Sequence, residues 1–391
     1  MQQNLSALAW ERQNIQRIIV LAFVFLFFTV AIMINLSPLL SGQTNLMDFG
    51  SFYASGLNAR DGINPYDPNS HYVFEIYFSK VSAGGKMVNL NPPISVVIFQ
   101  YISQFEPYKS EQILRKISAS IFIGLILLLT VSYRQHTSIV RFIWTFTLAG
   151  FWHTLHLGQI YIFPFLFATI TWLLMRHQKY ALAGIALGTL IAIKPNFAVW
   201  LIFFLAAGYY TTTIIAIIFF LAESAIPVLI YGIVIYQQWL ATSKIQMETL
   251  IMPGNNSILG LTARFNNIPA GIILSFVVIL ILVLLMRKKT WENNDEKIEF
   301  ISSLGIIASI LASPISWTGY TILLIPIFIS TPKWSHLMIA SAIILSIPFG
   351  FVLLFFQTSF INFIIFGWFY GWANLAIMLD LVLQTKRLKR Y

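Results

Sequence analysis

Long apolar runs recur from about Ile18 to the C-terminus, each separated from the next by a short polar stretch. A helix needs about 20 mostly apolar residues to cross a bilayer core roughly 30 Å thick, so this pattern predicts an all-α polytopic membrane protein. The first run, Ile18 to Leu36, follows Arg12 and Arg17 as the head of a signal peptide would. Ser37-Pro38-Leu39-Leu40 is a poor cleavage site, and the run reads as a retained first helix with a cytoplasmic N-terminus.

Sidedness follows from parity, because each crossing switches sides and basic clusters stay inside. Arg176-His177-Gln178-Lys179, Arg287-Lys288-Lys289 and Lys386-Arg387-Leu388-Lys389-Arg390 are then all cytoplasmic. Between the first two clusters, crossings near Tyr180 to Ile193, Phe197 to Gly208, Thr212 to Tyr236 and Ile268 to Met286 leave the polar stretch Gln237 to Asn267 outside. Beyond Arg287, crossings near Ile298 to Ala312, Tyr320 to Ser330, Leu337 to Phe356 and Ile361 to Leu383 return the C-terminus to the inside. Before Arg176, helices near Ile113 to Tyr133, from about Arg141 to Gly158-Gln159, and Tyr161 to Met175 make Gly158-Gln159 an outer turn.

The tally is about twelve transmembrane helices at this spacing. They form a single integral membrane domain over residues 1–391, with outer loops at about 37–91 and 237–267. Asn91 to Gln104, entered through Pro92-Pro93, is too short to span easily; it reads as re-entrant or interfacial on the outer side, with a short spanning hairpin as the other arrangement.

The chain is 58% hydrophobic and 10% charged over 391 residues, which leaves no soluble domain of useful size. Its net charge of +10 does not signal nucleic acid, because the cations cluster between apolar runs. Zero cysteines exclude disulfides, thiolate metal sites and cysteine nucleophiles. No internal repeat supports the symmetry common in transporters. The expected location is the plasma (inner) membrane, multi-pass, with both termini cytoplasmic.

Most of the polar chemistry falls in the first outer loop, which carries Asp48, Arg60, Asp61, Asp67, His71, Glu75, Lys80 and Lys86. Phe49 to Asn58, with aromatics at Phe49, Phe52 and Tyr53, suits a short helix lying in the membrane interface. Asp48 at its start has two readings. The exposed N–H groups there keep a carboxylate ionised and hence usable as a base, and aspartate is also favoured simply as a helix cap. Arg60 reads as a solvated charge pairing with Asp61 or Asp67. Glu223, mid-membrane by the count, suits a neutral, hydrogen-bonded acid between helices better than a proton path.

Several short motifs follow one another in order: Asp48-Phe49 with Tyr53-Ala54, Gly62-Ile63-Asn64-Pro65-Tyr66-Asp67-Pro68, Pro92-Pro93, Gly158-Gln159 and Lys194-Pro195. Asn256-Ser257 with Gly260 and Arg264, and the corner Ser313-Pro314-Ile315-Ser316-Trp317, complete the series. Together they resemble glycosyltransferase family 87, polyprenyl-phosphate-sugar-dependent α-mannosyltransferases of the GT-C architecture. The resemblance implies a hexosyltransferase that moves a sugar, mannose above all, from a polyprenyl phosphate to a glycolipid or glycan acceptor. The reaction would run with inversion on the extracytoplasmic face, in cell-envelope glycan synthesis; no metal motif is visible, and charged side chains on the phosphate need no resident cofactor or metal.

A lipid phosphate is a good leaving group, so one base suffices where an inverting glycosidase needs two carboxylates. Asp48 is that base in this reading, and cations or donors hold the phosphate. Arg264 is the first choice, since a guanidinium grips two phosphate oxygens. Lys194, at the outer end of an apolar run, is either functional or snorkels to the headgroups. His153 and His156 share a helical face near the outer turn; without a third ligand they read as donors to phosphate or sugar, or as plain interfacial polar residues. Gln159 binds sugar hydroxyls or ties down its own turn. Tyr53, Asn256 and Trp317 complete the implied substrate-binding set.

One departure stands out. In the family the Trp corner usually runs on into an acidic residue and histidines, whereas here it reads Trp317-Thr318-Gly319-Tyr320-Thr321, which leaves the sugar and acceptor open; His153, His156 or the Tyr320 hydroxyl are the candidates to fill the gap. Two other readings compete with the transferase: a transporter or flippase of lipid-linked sugars using Glu223 and Lys194, and a non-catalytic membrane component of glycan assembly.

Overall fold

The computed structural model describes residues 25–37, 39, 46–73, 88–245, 250–291 and 293–387. Expectations resting on Arg12, Arg17, Glu75, Lys80, Lys86, Lys389 and Arg390 lie outside the described residues. All regular elements among the described residues are helical. Three helices, Pro107–Ser132, Tyr210–Tyr231 and Ile268–Lys288, are long and apolar enough to cross a membrane, and two bent pairs raise the number to five if each is one span.

Local chemistry sets the ends of these helices. Glu106 caps Pro107–Ser132 by accepting from the N–H groups of Tyr108 and Lys109 at 3.1 and 2.6 Å, with Pro107 in the first position, where no amide hydrogen is needed. Asn267 accepts from Ala270 N at 3.0 Å, and Arg287 and Lys288 fall in the last turn of Ile268–Lys288, opposite the exposed carbonyls.

Several expected single crossings are divided. The run Leu337 to Phe356 forms His336–Ser346 and Phe349–Phe355, bent by 86°. Pro348 between them has no amide hydrogen and forces Ile347 out of the helical region. The run Ile361 to Leu383 forms Phe360–Gly367 and a helix from Phe369, bent by 57°. Thr212 to Tyr236 ends early, at Tyr231, where Gly232 takes φ 75°, and the chain resumes as Val234–Ile245. The stretch expected as a polar outer loop therefore contains a helix. The segment leading to Gly158 is likewise two helices, Ile139–Thr145 and Ala149–Leu157.

Ile94–Ile102 has nine residues, about 14 Å at 1.5 Å per residue, which is too short to span a bilayer. It packs across Met47–Arg60 instead. Phe99 meets Phe49 and Phe52 at ring distances of 5.8 and 5.2 Å, and a side chain at Gly56 would collide with the Phe99 carbonyl. At the centre of the molecule, Asn294–Leu311 is buried on every side from Phe300 onward, so it is a core helix and not an amphipathic one. Ile162–Arg176, Ala198–Ala206, Ile268–Lys288 and Phe369–Arg387 surround it.

Polar contacts gather the basic turns at one end. Arg176 pairs with Asp295 at 3.2 Å and Glu299 at 3.6 Å and donates to Ser132 O at 3.0 Å. Lys289 pairs with Glu296 at 2.9 Å, and Tyr209 donates to Asn294 at 3.1 Å. The other ends of the same helices meet around a cavity.

Candidate active site

The cavity measures about 870 Å³. Five elements that are remote in sequence wall it: the start of Met47–Arg60, the Leu90-Asn91-Pro92 segment, the Gly158-Gln159 turn, the break at Lys194-Pro195, and the Ser313 to Trp317 corner. Trp239 and Leu240, with Met252 and Pro253, close one side, and Phe349 and Leu353 of the bent pair close another.

Asp48 lies in the first turn of Met47–Arg60, but it does not cap that helix. The N-cap position is Leu46, with no side-chain cap hydrogen bond. The Asp48 carboxylate instead accepts a hydrogen bond from Gln159 Nε2 and faces the cavity. Of its two readings, this geometry suits the base. Burial pushes the Asp48 carboxyl up from 3.8 to about 6, with the Gln159 hydrogen bond and the nearby Lys194 ammonium acting against that rise. Loss of solvation thus outweighs the helix-start effect invoked from sequence. A carboxylate of this kind is ionised at neutral pH yet far more basic than a solvated one.

Gln159 reaches Asp48 because the turn before it is tight. Gly158 ends Ala149–Leu157 at φ 63°, and a Cβ there would lie 2.7 Å from Phe49 Cβ, so only glycine lets the two elements approach. The turn also rests on Glu111, wholly buried and paired with Arg115 at 2.7 Å, whose guanidinium donates to His156 O at 3.3 Å. Neither Glu111 nor Arg115 stands out in the sequence, because each looks like an ordinary charge at a helix start.

Lys194 follows Tyr180–Ile193 in extended conformation, with its ammonium turned inward. It donates to Asn91 Oδ1 at 2.6 Å and lies over the Tyr161 and Tyr320 rings at 4.9 and 5.7 Å. This is a held cation and not a snorkelling one. His153 lines the same cavity, packed against Phe349 at 4.8 Å with Nδ1 unpartnered, and Trp317 lines it too.

The remaining candidates are structural. Arg264 does not line the cavity; its guanidinium donates to the carbonyls of Gly260 at 2.6 Å, Met252 at 2.7 Å and Gly367 at 2.5 Å. Its two terminal nitrogens cap the ends of two helices and only Nε, packed against Gly367, is unpartnered, so the fork is turned away from the cavity, which corrects its sequence-based role. Asn256 is buried off the cavity, donating to Gly254 O at 2.8 Å, while its neighbour Asn255 accepts from Ser316 N at 2.9 Å and ties this loop to the Trp317 corner. Tyr53 donates to Phe105 O at 2.6 Å, anchoring Met47–Arg60, and does not line the cavity. His156 also stands outside it, with its backbone carbonyl taken by Arg115. Arg60 pairs with Asp61 at 3.4 Å, and Glu223 accepts from Thr189 at 2.6 Å.

Asn91, Tyr161, Trp239 and Phe349 are cavity residues that sequence reasoning did not select. The signal for Asn91 is its place directly before Pro92-Pro93, on an outer segment facing Lys194. The aromatic residues carry no such mark among 34 Phe, 16 Tyr and 11 Trp.

Apolar helices of membrane length place the protein in the class of helical membrane proteins, here with a carboxylate and an ammonium facing one cavity. The sequence profile of glycosyltransferase family 87 matches residues 89–314, more than half of the chain, and the chain belongs to that family, whose activity is glycosyl transfer. The match includes Asn91, His153, Gln159 and Lys194 and begins after Asp48. No curated protein and no solved structure matches the chain.

Proposed function

We propose that this protein transfers a sugar, mannose in the first instance, from a polyprenyl phosphate to a hydroxyl of a glycolipid or glycan acceptor, with inversion and with Asp48 as general base. The observation that carries the reading is the Asp48 carboxylate, held by Gln159 and facing the same cavity as the Lys194 ammonium.

In a single displacement, Asp48 takes the proton of the acceptor hydroxyl as its oxygen bonds to the anomeric carbon from the face opposite the leaving group. The bond from that carbon to the phosphate oxygen breaks, and the electron pair leaves on the lipid phosphate. Lys194 neutralises the charge that develops there. His153 and Trp317 are proposed to contact the sugar. The donor is itself the activated group, so the reading needs no resident cofactor.

Two features support placing this chemistry at a membrane surface. Leu240, Met252 and Leu353, apolar and about half exposed at 53%, 50% and 48%, lie on the cavity's rim, as suits a mouth that admits a lipid chain from the side. Arg176, Arg287 and Lys288 lie at the opposite end of the helices, and positive residues favour the cytoplasm. The reading therefore keeps a GT-C architecture of about twelve crossings, the shorter helices joining into spans, with interfacial first-loop helices and an extracytoplasmic site in the plasma membrane.

The test is transfer of radiolabelled sugar from a polyprenyl phosphate in membranes, comparing the parent with Asp48→Asn. Absence of transfer from any such donor, or an Asn variant equal to the parent, sinks the assignment. Glu223, the acid a transporter reading would use, accepts from Thr189 at 2.6 Å and does not line the cavity.

A further inference from the structure

We propose that Asn91 is a positioning residue for Lys194: its amide, locked by Asn89 with the carbonyl oxygen toward the ammonium, fixes where the cavity's cation points. The inference rests on the transferase reading only for what the cation does.

The lock follows from hydrogen-bond polarity. Asn89 and Asn91 are 2% and 3% exposed, so their polar atoms must be satisfied within the protein. Asn89 Nδ2 donates to two hydroxyl oxygens, Ser55 Oγ at 3.2 Å and Ser95 Oγ at 3.1 Å. Its Oδ1 therefore faces Asn91 and accepts from both Asn91 N, at 3.0 Å, and Asn91 Nδ2, at 3.1 Å. With Nδ2 committed, Asn91 Oδ1 is left to accept from Lys194 Nζ at 2.6 Å. Flipping the Asn91 amide would set a donor against the ammonium and an oxygen against Asn89 Oδ1, two losses at once. The Asn91 main chain is held as well, because its carbonyl accepts from Tyr66 OH at 2.9 Å.

The lysine is fixed from its own side. Lys194 N donates to Leu190 O at 2.8 Å, and the following Pro195 prevents the helix from continuing through it. The titratable groups around the ammonium are Asp48 from the first-loop helix, Tyr161 from the turn after Gly158 and Tyr320 from the Trp317 corner, with His153 on the same cavity wall. One N–H is spent on Asn91, the Tyr161 and Tyr320 rings flank the ammonium, and Lys194 lines the cavity where the proposed donor phosphate binds.

The test uses the full chain in native membranes. Brief acylation with acetic anhydride across pH, read at the Lys194 peptide by mass spectrometry, gives the pH midpoint at which Lys194 becomes a free amine. Asn91→Leu removes the acceptor and should move that midpoint down by about one pH unit, the scale of one charge-assisted hydrogen bond. Asn91→Asp puts a carboxylate against the ammonium and should move it up. A purely structural role changes protein level in both variants but does not shift the midpoint in opposite directions. If either variant holds the parent midpoint, the proposal is wrong; if Asn91→Leu fails to accumulate, Asn91→Ser, which shortens the acceptor, takes its place with the same downward shift required. In transfer assays both variants should raise the donor KM, on the order of tenfold, with a smaller change in kcat: Leu by misaiming the cation, Asp by cancelling its charge. A parent without transfer from any polyprenyl phosphate defeats the transferase reading, and the midpoint still decides the role of Asn91.

Discussion

The Gln159 amide donates to the Asp48 carboxylate across 111 residues of sequence, joining the first-loop helix to the turn that Gly158 permits. Gln159 is 7% exposed and its Oε1 accepts from Ile160 N at 3.3 Å, so its Nε2 is the end turned to Asp48. One amide thereby fixes both the direction of the carboxylate and part of its basicity.

Asp48→Asn keeps an oxygen for Gln159 to donate to but supplies no base. Transfer should fall by about 100- to 10,000-fold, the usual contribution of a general base. Stability should move the other way. The folded protein raises the Asp48 pKa from 3.8 to about 6, so the buried charge opposes folding wherever it is ionised. That cost is complete above pH 6, shrinks between 6 and 4, and is absent below. At pH 8 the Asn variant should melt above the parent, with the difference closing by pH 4; a variant that melts below the parent at pH 8 contradicts the desolvation argument.

The pH dependence of kcat/KM should show an acid limb near 6, because transfer needs Asp48 ionised and its pKa lies there. Gln159 lowers that pKa, so Gln159→Leu should shift the limb to higher pH while also lowering the plateau. Gln159→Glu, in which a carboxylate replaces the donor, should shift it further by like-charge repulsion. A limb that stays in place in both variants separates Gln159 from the base.

How much of this was readable beforehand depends on how local the cause is. The helix Tyr180–Ile193 is legible in the sequence, because a polar cluster and a Lys-Pro pair bound an apolar run. Parity and the ordered motifs put Asp48, the Gly158-Gln159 turn, the Arg264 loop and the Trp317 corner on one face; of these Asp48, Gln159 and Trp317 line the cavity, and Arg264 does not. The 86° break at Pro348 is hidden in the sequence, because an apolar run does not show its own bends. The role of Arg264 is illegible for a different reason. A guanidinium that grips phosphate and one that caps helices look alike in sequence; what decides is whether Met252, Gly260 and Gly367 present carbonyls to it, and that is set by tertiary packing.

Arg264 supplies a prediction that reverses its sequence-based role. Arg264→Lys keeps the charge but cannot reach three carbonyls with one ammonium, and Arg264→Met takes the guanidinium from all three, leaving Met252 O only its bond from Asn255 N at 3.3 Å. Each should destabilise by about 3 kcal/mol, read as lower accumulation and melting temperature, because buried carbonyls lose charge-assisted partners. The protein that does accumulate should bind donor with the parent KM. A stable Arg264→Lys with a greatly raised donor KM would return Arg264 to the phosphate.

The rim makes the lipid chain itself testable. Leu240, Met252 and Leu353, each about half exposed at the rim, suit a mouth against acyl chains. Leu353 lies on Phe349–Phe355, the short helix that the Pro348 bend carries to the cavity wall, so a change there touches the rim without disturbing Asp48 or Lys194. Leu353→Asp places a carboxylate where a polyprenyl chain must pass, and an ion against hydrocarbon loses its solvation. The KM for long-chain donors should rise by about tenfold, the cost of roughly 1.4 kcal/mol in lost binding. A donor trimmed to one or two isoprene units should stop short of the rim and keep its KM, while kcat for both donors holds. Comparing the two chain lengths in the parent and in Leu353→Asp therefore separates an effect on lipid passage from an effect on the reacting groups. If long and short donors suffer equally, the chain does not leave the cavity past Leu353.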